Sequence, residues 1–244
     1  MAELIAGGVA VVVASFIGGV TGFGYGLVAA PALLLIGFSL PFVVTANLAI
    51  GLLTRLSVAV RLRRQITWRR STILVVASIP GFFLGARLLV EADPTLIKVG
   101  LGALVIALSV VLDRGRTRPA PRPIPGAPLL AGFAGGFLGG LSSLNGVGPV
   151  LLLTRERVAP IAAIANLAFY FVVSNAIGLG VLAVTGALST RALFPAVVVW
   201  LPGALVGNAL GVATAPRLPV EHFRRLTLGI VCLAGAVIIA TAVR

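Results

Sequence analysis

The sequence predicts an all-α integral membrane protein made of two inverted repeats. Each repeat is expected to be a glycine-broken helical hairpin followed by three transmembrane helices, which gives about eight to ten helical segments. Three observations predict this fold. Hydrophobic residues make up 59% of the 244 residues and charged residues only 10%, a balance typical of proteins surrounded by lipid. Short motifs recur in the same order in both halves, and two glycine-rich clusters interrupt apolar runs at matching places.

The first repeat, residues 1–112, opens with the glycine-rich stretch GGVTGFGYG. Five glycines fall within nine residues: Gly18, Gly19, Gly22, Gly24 and Gly26. Because so many glycines weaken a helix, they predict the tip of a hairpin formed by residues 3–37. Three apolar runs follow, at 41–60, 71–90 and 95–112. Each is long enough to cross about 30 Å of hydrocarbon at about 1.5 Å per residue.

The second repeat, residues 129–244, has the same order of features after a basic, proline-rich linker at 113–128 that cannot be helical throughout. Its hairpin is predicted over 127–153, with GGLSSLNGVGP at the tip. Its three apolar spans are predicted at 160–183, 192–212 and 223–243. The motif ANLA occurs at 46–49 and 165–168, and Pro-Gly-x-x-x-Gly occurs within 79–88 and 201–210. The two repeats together are expected to form one membrane domain.

The positive charges favour hairpins over single crossings at the start of each repeat. With hairpins, most arginines fall on one side of the membrane, including those of the basic loops at 61–70 and 113–126. A single crossing would instead move five arginines to the outside: Arg155, Arg157, Arg217, Arg224 and Arg225. Since basic loops stay in the cytoplasm, we expect both basic loops to be cytoplasmic, the N-terminus to be outside and the repeats to be inverted.

The two tips are the predicted binding site, because a broken helix at membrane depth exposes N–H groups and a positive helix end. The candidates in the first tip are Thr21, Gly22, Gly24, Tyr25 and Gly26. Those in the second tip are Ser142, Ser143, Asn145, Gly146 and Gly148. Asn47 and Asn166, from the repeated ANLA motif, are expected to face the tips as amide donors. The alternative is that they only brace the hairpins.

The charged residues favour an anion as the ligand. The six carboxylates all fall in termini, loops or helix ends: Glu3, Glu91, Asp93, Asp113, Glu156 and Glu221. A cation site or proton relay built on carboxylates is therefore not expected within a span. Arg55 and Arg87 are the only arginines placed inside predicted spans. They are candidates for attracting or gating an anion. The alternative is structural, with Arg55 extending to the basic loop and Arg87 pairing with an outer carboxylate.

The sequence offers little support for nucleic-acid binding, for an enzyme or for a metal site. The net charge of +13 is spread over short loops, which indicates membrane orientation and not nucleic-acid binding. The chain has a single histidine, His222, and a single cysteine, Cys232, so we expect no enzyme, no metal site and no cofactor. The expected partners are the lipid bilayer and a small anion. The sequence leaves open whether the chain acts as a monomer or a homodimer.

These features resemble the TauE/SafE sulfite exporter family: the glycine cluster leading to a proline at 22–31, the GVGP motif at 146–149, the duplication and the arginine-rich linker. The resemblance implies a permease of the bacterial inner membrane that exports small sulfur-containing or organic anions, such as sulfite or sulfonates. Combined with the repeats, it predicts that the anion binds between the tips near the midplane, with alternating access. An anion channel with a continuous pore is the alternative. The particular anion, the direction and the coupling ion stay open.

Overall fold

The structure is a computed structural model that describes residues 2–93, 95–107 except 98, 101 and 105, 124–189, 193–214 and positions 236 and 239. Within these ranges every regular element is helical. The principal helices are α1 (Ala2–Thr21), α2 (Tyr25–Ile36), α3 (Leu40–Arg61), α4 (Trp68–Glu91), α5 (Ala127–Ser142), α6 (Val147–Arg155), α7 (Pro160–Val184) and α8 (Leu193–Thr214). A shorter apolar helix occupies Thr95–Leu104. Most of the predicted span at 223–243 and most of the linker at 113–128 lie outside the described residues.

Five of the described helices are long and apolar enough to cross a membrane: α1, α3, α4, α7 and α8. The predicted spans at 41–60, 71–90, 160–183 and 192–212 each fall on one of these helices. The chain is therefore an all-α, multi-pass membrane protein. By contrast, α2 and α6 contain only 12 and 9 residues, too few to cross about 30 Å of hydrocarbon.

The first hairpin pairs α1 with α2, and its two ends lie together. Near the start of α1, the Leu4 carbonyl accepts a hydrogen bond of 2.8 Å from Trp200 Nε1. The ring of Phe38, which follows α2, contacts the same indole with a centroid distance of 5.4 Å. The chain therefore enters and leaves this hairpin at one end of the molecule, and the turn between Thr21 and Tyr25 lies inside.

Of the five glycines expected at the tip of the first hairpin, only Gly22 and Gly24 lie in the turn between the helices. Gly18 and Gly19 are helical in α1, and Gly26 is helical in α2. A Cβ on Gly19 would lie 2.5 Å from the carbonyl oxygen of Asn208 in α8. These helical glycines allow neighbouring backbones to approach closely, as is common between membrane helices.

The second hairpin pairs α5 with α6. A Cβ on Gly148 in α6 would collide with the backbone of Ala131 in α5. Nearer the turn, a Cβ on Gly139 would lie 2.7 Å from Asn145 Cβ. The two helices therefore run side by side from their turn, in agreement with the hairpin predicted over 127–153.

The loop at 61–70 and the segment at 155–159 that follows α6 lie at the same end of the molecule. Arg70 at the start of α4 forms an ion pair of 2.7 Å with Glu156, which follows α6. The backbone N–H of Thr67 donates to Asn166 Oδ1 near the start of α7 at 2.8 Å. Hairpins at the start of each repeat require this arrangement, whereas single crossings would place the two loops at opposite ends.

The central helices α3 and α7, which carry the two ANLA motifs, run antiparallel. The N–H of Ser189, just after α7, donates to Thr45 Oγ1 near the start of α3. At the other end of the pair, Ala59 packs in one cluster with Ala168. The start of each helix therefore faces the end of its partner.

Each outer helix of one half packs against an outer helix of the other half. Helix α1 runs parallel to α8, because Gly7 lies against Trp200 at one end and Gly19 lies against Gly211 at the other. Helix α4 likewise runs parallel to α5 of the second half, through Gly81, Gly85, Gly132, Gly136 and Gly140. The first hairpin therefore packs on the second half, and the second hairpin packs on the first.

Candidate functional site

A cavity of about 40 Å³ lies between the two hairpin turns and the middle of α3 and α7. It is lined by Phe23, Tyr25, Gly26, Leu27, Asn47, Leu48, Gly51, Arg55, Ser143, Leu144, Asn145, Gly146, Val147, Val150, Leu151, Phe171 and Asn175. One water molecule needs about 10–15 Å³. The cavity can therefore hold a few waters or an ion of a few heavy atoms.

The first turn is closed by the hydroxyl of Thr21. Its Oγ1 donates to the carbonyl of Ile17 at 2.8 Å and accepts from the backbone N–H of Gly24 at 2.9 Å. Gly22 has a φ of +84°, a conformation that L side chains adopt only with strain. These three predicted site residues shape the turn but do not line the cavity.

The second turn is one residue longer than the first, with four residues between its helices in place of three. Ser143 takes the left-handed conformation, with a φ of 63°, and its N–H bonds the carbonyl of Gly139 at 2.9 Å. This conformation is uncommon for a residue other than glycine. It turns the chain so that Ser143, Asn145 and Gly146 all line the cavity.

Both short helices begin at the cavity wall. Tyr25 and Gly26 are the first residues of α2, and Gly146 and Val147 are the N-cap and first residue of α6. The first N–H groups of a helix have no partner within it, and this end carries a partial positive charge. The two turns therefore place the positive ends of two helices beside the same space.

A chain of hydrogen bonds connects the two turns through α3. Tyr25 Oη donates to Asn47 Oδ1 at 3.1 Å, and Asn47 Nδ2 donates to Ser143 Oγ at 3.0 Å. Asn47 is buried, so its amide would be costly without these partners. The structure brings these three predicted residues together, one from each turn and one from the central helix.

Arg55 lies in the cavity wall and is only 4% exposed. Its Nη2 donates to the Gly18 carbonyl at 2.8 Å, and its guanidinium carbon lies 5.9 Å from the ring centroid of Phe171. Within the described part of the chain, no carboxylate forms an ion pair with Arg55. Arg55 therefore points inwards and does not extend to the basic loop, and no described carboxylate neutralises it.

Two polar residues of α7, Ser174 and Asn175, contact the second turn but were not among the predicted site residues. Asn145 Nδ2 donates to Asn175 Oδ1 at 2.6 Å and to Ser174 Oγ at 3.0 Å. Ser174 and Asn175 are buried in the middle of a span that is otherwise apolar. Adjacent polar residues in the middle of a membrane helix are costly and tend to be functional, and this signal was present in the sequence. Phe23 and Phe171, which line the cavity, carry no comparable signal.

Three other candidates lie outside the cavity. Ser142 donates to the carbonyl of Leu138 in its own helix at 2.8 Å and borders a separate apolar gap beside α4. Gly148 packs against the backbone of α5. Arg87 is exposed on α4. The arrangement therefore distinguishes the two arginines inside spans, since only Arg55 reaches the cavity.

The expectation that Asn166 faces the tips is wrong. Its Oδ1 accepts from the N–H of Thr67 and from Ser71 Oγ at 2.7 Å, and its Nδ2 donates to the carbonyl of Ala162. Asn166 therefore binds the start of α4, at the end of the molecule that holds the loop at 61–70. Its amide is used where the first N–H groups of α4 lack helical partners.

We expect Asn166→Ala to lower stability without changing the affinity for a ligand in the cavity. The substitution leaves Ser71 Oγ and the Thr67 N–H without their acceptor, which typically costs about 1–3 kcal/mol. Thermal unfolding of the purified protein measures the first effect, and ligand titration measures the second. An unchanged melting temperature together with weaker ligand binding would show instead that Asn166 reaches the ligand.

The donors around the cavity suit an anion better than a metal or a cation. The described lining offers one guanidinium, amides, hydroxyls and helix N–H groups, and it contains no carboxylate. Among the residues that the structure describes, no group of three or more His, Cys, Asp or Glu could hold a metal ion. The site can bind and orient an anion through charge and hydrogen bonds.

Comparison with protein families agrees with this chemistry. The chain matches the model of the family described as sulfite exporter TauE/SafE over residues 7–238. It belongs to this family. The match covers both hairpins and every described span, and it makes the chain a member of a family of membrane transporters and not of enzymes. Neither the curated proteins nor the solved structures contain a match to the chain.

Proposed function

We propose that this TauE/SafE family member transports a small anion, which binds in the cavity between the two hairpin turns. The observation that carries the proposal is Arg55, a buried cation in the cavity wall with no carboxylate beside it among the described residues. Burying a charge without a partner costs several kcal/mol. A transported anion would supply the missing partner each time it binds.

Sulfite or a small sulfonate is the proposed substrate, and export is the proposed direction. The substrate class follows from the family description. Export agrees with the membrane potential, which drives anions out of the cytoplasm. We place the protein in the inner membrane with its basic loops at 61–70 and 113–126 in the cytoplasm, in keeping with the positive-inside rule.

Alternating access between two inverted repeats is the proposed mechanism. The antiparallel pairing of α3 with α7, and the matching pairs of α1 with α8 and α5 with α4, are the contacts expected for halves related by a twofold axis in the membrane plane. We propose that the two hairpins move against the other helices. The chain of hydrogen bonds from Tyr25 to Ser143 would then break and reform during the cycle.

Flux through proteoliposomes tests this function against a channel. We expect uptake of radiolabelled sulfite to saturate with concentration and to accelerate when unlabelled sulfite is present on the opposite side. Such acceleration is expected of a carrier, whose binding site returns across the membrane faster with an anion bound than empty, and it is not expected of a channel. Flux that rises linearly and shows no such acceleration would indicate a channel. If neither sulfite nor a small sulfonate crosses faster than in protein-free liposomes, the proposed substrate class is wrong.

A further inference from the structure

The formal charges of the side chains that line the cavity determine which ligand charge they can neutralise. Of the described side chains that line the cavity, Arg55 alone carries a formal charge. The other lining groups are apolar, amide or hydroxyl. The described carboxylates lie elsewhere: Glu3, Glu91 and Asp93 near helix ends, and Glu156 in its ion pair with Arg70. The fixed formal charge at the cavity is therefore +1.

The helix ends add little to this charge. The positive ends of α2 and α6 lie at the cavity, but each is separated by only three or four residues from the negative end of α1 or α5. These opposite partial charges are of similar size, about half a charge each, and they largely offset one another at each turn. The N–H groups of a first helical turn that lack a partner within the helix can add directionality without adding a second charge.

The apolar lining of the cavity makes it costly to bury a net charge there. Phe23, Leu48 and Phe171 line the cavity beside Arg55, so little water is present to solvate an uncompensated charge. The effective cost of one unpaired charge in such surroundings is several kcal/mol. An anion with a single negative charge neutralises Arg55, whereas a dianion leaves a net charge of −1.

We propose that the cavity selects monovalent anions of a few heavy atoms and discriminates against dianions of the same size. This inference rests on the proposed function. Applied to sulfite, it means that the bound form is hydrogen sulfite, HSO₃⁻. The proton then crosses with the substrate and is released when hydrogen sulfite dissociates to sulfite and H⁺ in solution. Transport would respond to a pH gradient although Glu3 and Glu91, the described carboxylates of the spans, lie at helix ends and do not line the cavity.

Perchlorate and sulfate test the charge preference, because both are tetrahedral anions with four oxygens and they differ in charge. Binding is measured by calorimetry on protein in nanodiscs, with sodium gluconate as the background salt. We expect perchlorate to bind at least about ten-fold more tightly than sulfate. Equal or tighter binding of sulfate to the wild-type protein would overturn the inference. Because a bound anion would still be detected, that result would leave the proposed function standing.

Two variants separate charge matching from the easier dehydration of perchlorate. Leu151 lines the cavity and is only partly buried, so Leu151→Lys adds a second cation at the wall and should reduce or reverse the preference for perchlorate. Arg55→Lys keeps the charge and should keep the preference for perchlorate. A ratio that is unchanged in Leu151→Lys would show that dehydration alone sets the selectivity, and the inference would fail. Absence of binding by perchlorate, sulfate, nitrate and hydrogen sulfite alike would overturn the proposed function itself.

Discussion

Replacing Arg55 by glutamine is expected to reduce sulfite transport at least about ten-fold at substrate concentrations near the wild-type dissociation constant. Removing one partner of a buried charge pair costs about 2–5 kcal/mol, which is at least about 25-fold in the dissociation constant. The unliganded variant should be no less stable than the wild type, because it no longer buries an unpaired cation. Thermal unfolding without sulfite measures the stability of the variant. The rise in melting temperature on adding sulfite measures its affinity, since a ligand of the folded state raises the melting temperature.

The matched control is Arg87→Gln. Both arginines lie in membrane helices, but Arg87 is exposed on α4 while Arg55 is buried in the cavity wall. The control changes the net charge by the same amount, so a general effect of charge on insertion or on lipid contact would appear in both variants. We expect Arg87→Gln to transport normally.

A different outcome would identify Arg55 as a brace for the first hairpin. Its bond to the Gly18 carbonyl holds the last turn of α1, and a purely structural role predicts a lower melting temperature in Arg55→Gln without weaker anion binding. That combination would contradict the proposed site. Arg55→Lys then separates charge from geometry, because lysine keeps the cation but lacks the planar fork of donors.

The fold could be predicted from the sequence largely because lipid restricts the chain to few structures. In a membrane every backbone polar group needs an internal partner, so long apolar runs must be helices. The ends of α3, α4, α7 and α8 fall within a few residues of the predicted spans. The repeated motifs and the loop arginines then limited the ways in which these helices could be connected.

The site could be predicted only in part, because side-chain direction depends on how each helix is rotated and on what packs against it. Asn47 and Asn166 occupy the same position in the repeated ANLA motif, yet one connects the two turns and the other binds the start of α4. The motif fixes which helix carries the amide. It does not fix which neighbour supplies its partner.

The direction in which Arg55 points was undetermined for the same reason. An arginine near the end of a membrane helix can extend to the interface or turn inwards, and the sequence permits both. The deciding feature is Gly18 in α1, where a Cβ would lie 2.9 Å from Arg55 Nη2. A small residue at that place makes room for the guanidinium, and this relationship between distant residues becomes visible only in three dimensions.

The close packing of α4 on α5 predicts a large effect for Gly136→Ala. A Cβ on Gly136 would collide with the Ser78 carbonyl oxygen and would lie 2.7 Å from the Ser78 carbonyl carbon and from its Cα. These are backbone atoms, so no side chain can rotate away and the two helices must separate. Overpacking of this kind costs about 1–3 kcal/mol, and we expect a melting temperature several degrees lower. Because α5 carries Ser143 into the cavity, sulfite binding should weaken as well.

Gly180→Ala is the matched control for this effect. Gly180 is also helical, in α7, but nothing lies within 4 Å of the place where its Cβ would be. Alanine has the higher helix propensity by about 1 kcal/mol, so this variant should be as stable as the wild type or more stable. If Gly136→Ala unfolded at the wild-type temperature, the contact between α4 and α5 would be looser than the structure shows. The attachment of the second hairpin to the first half of the chain would then need another explanation.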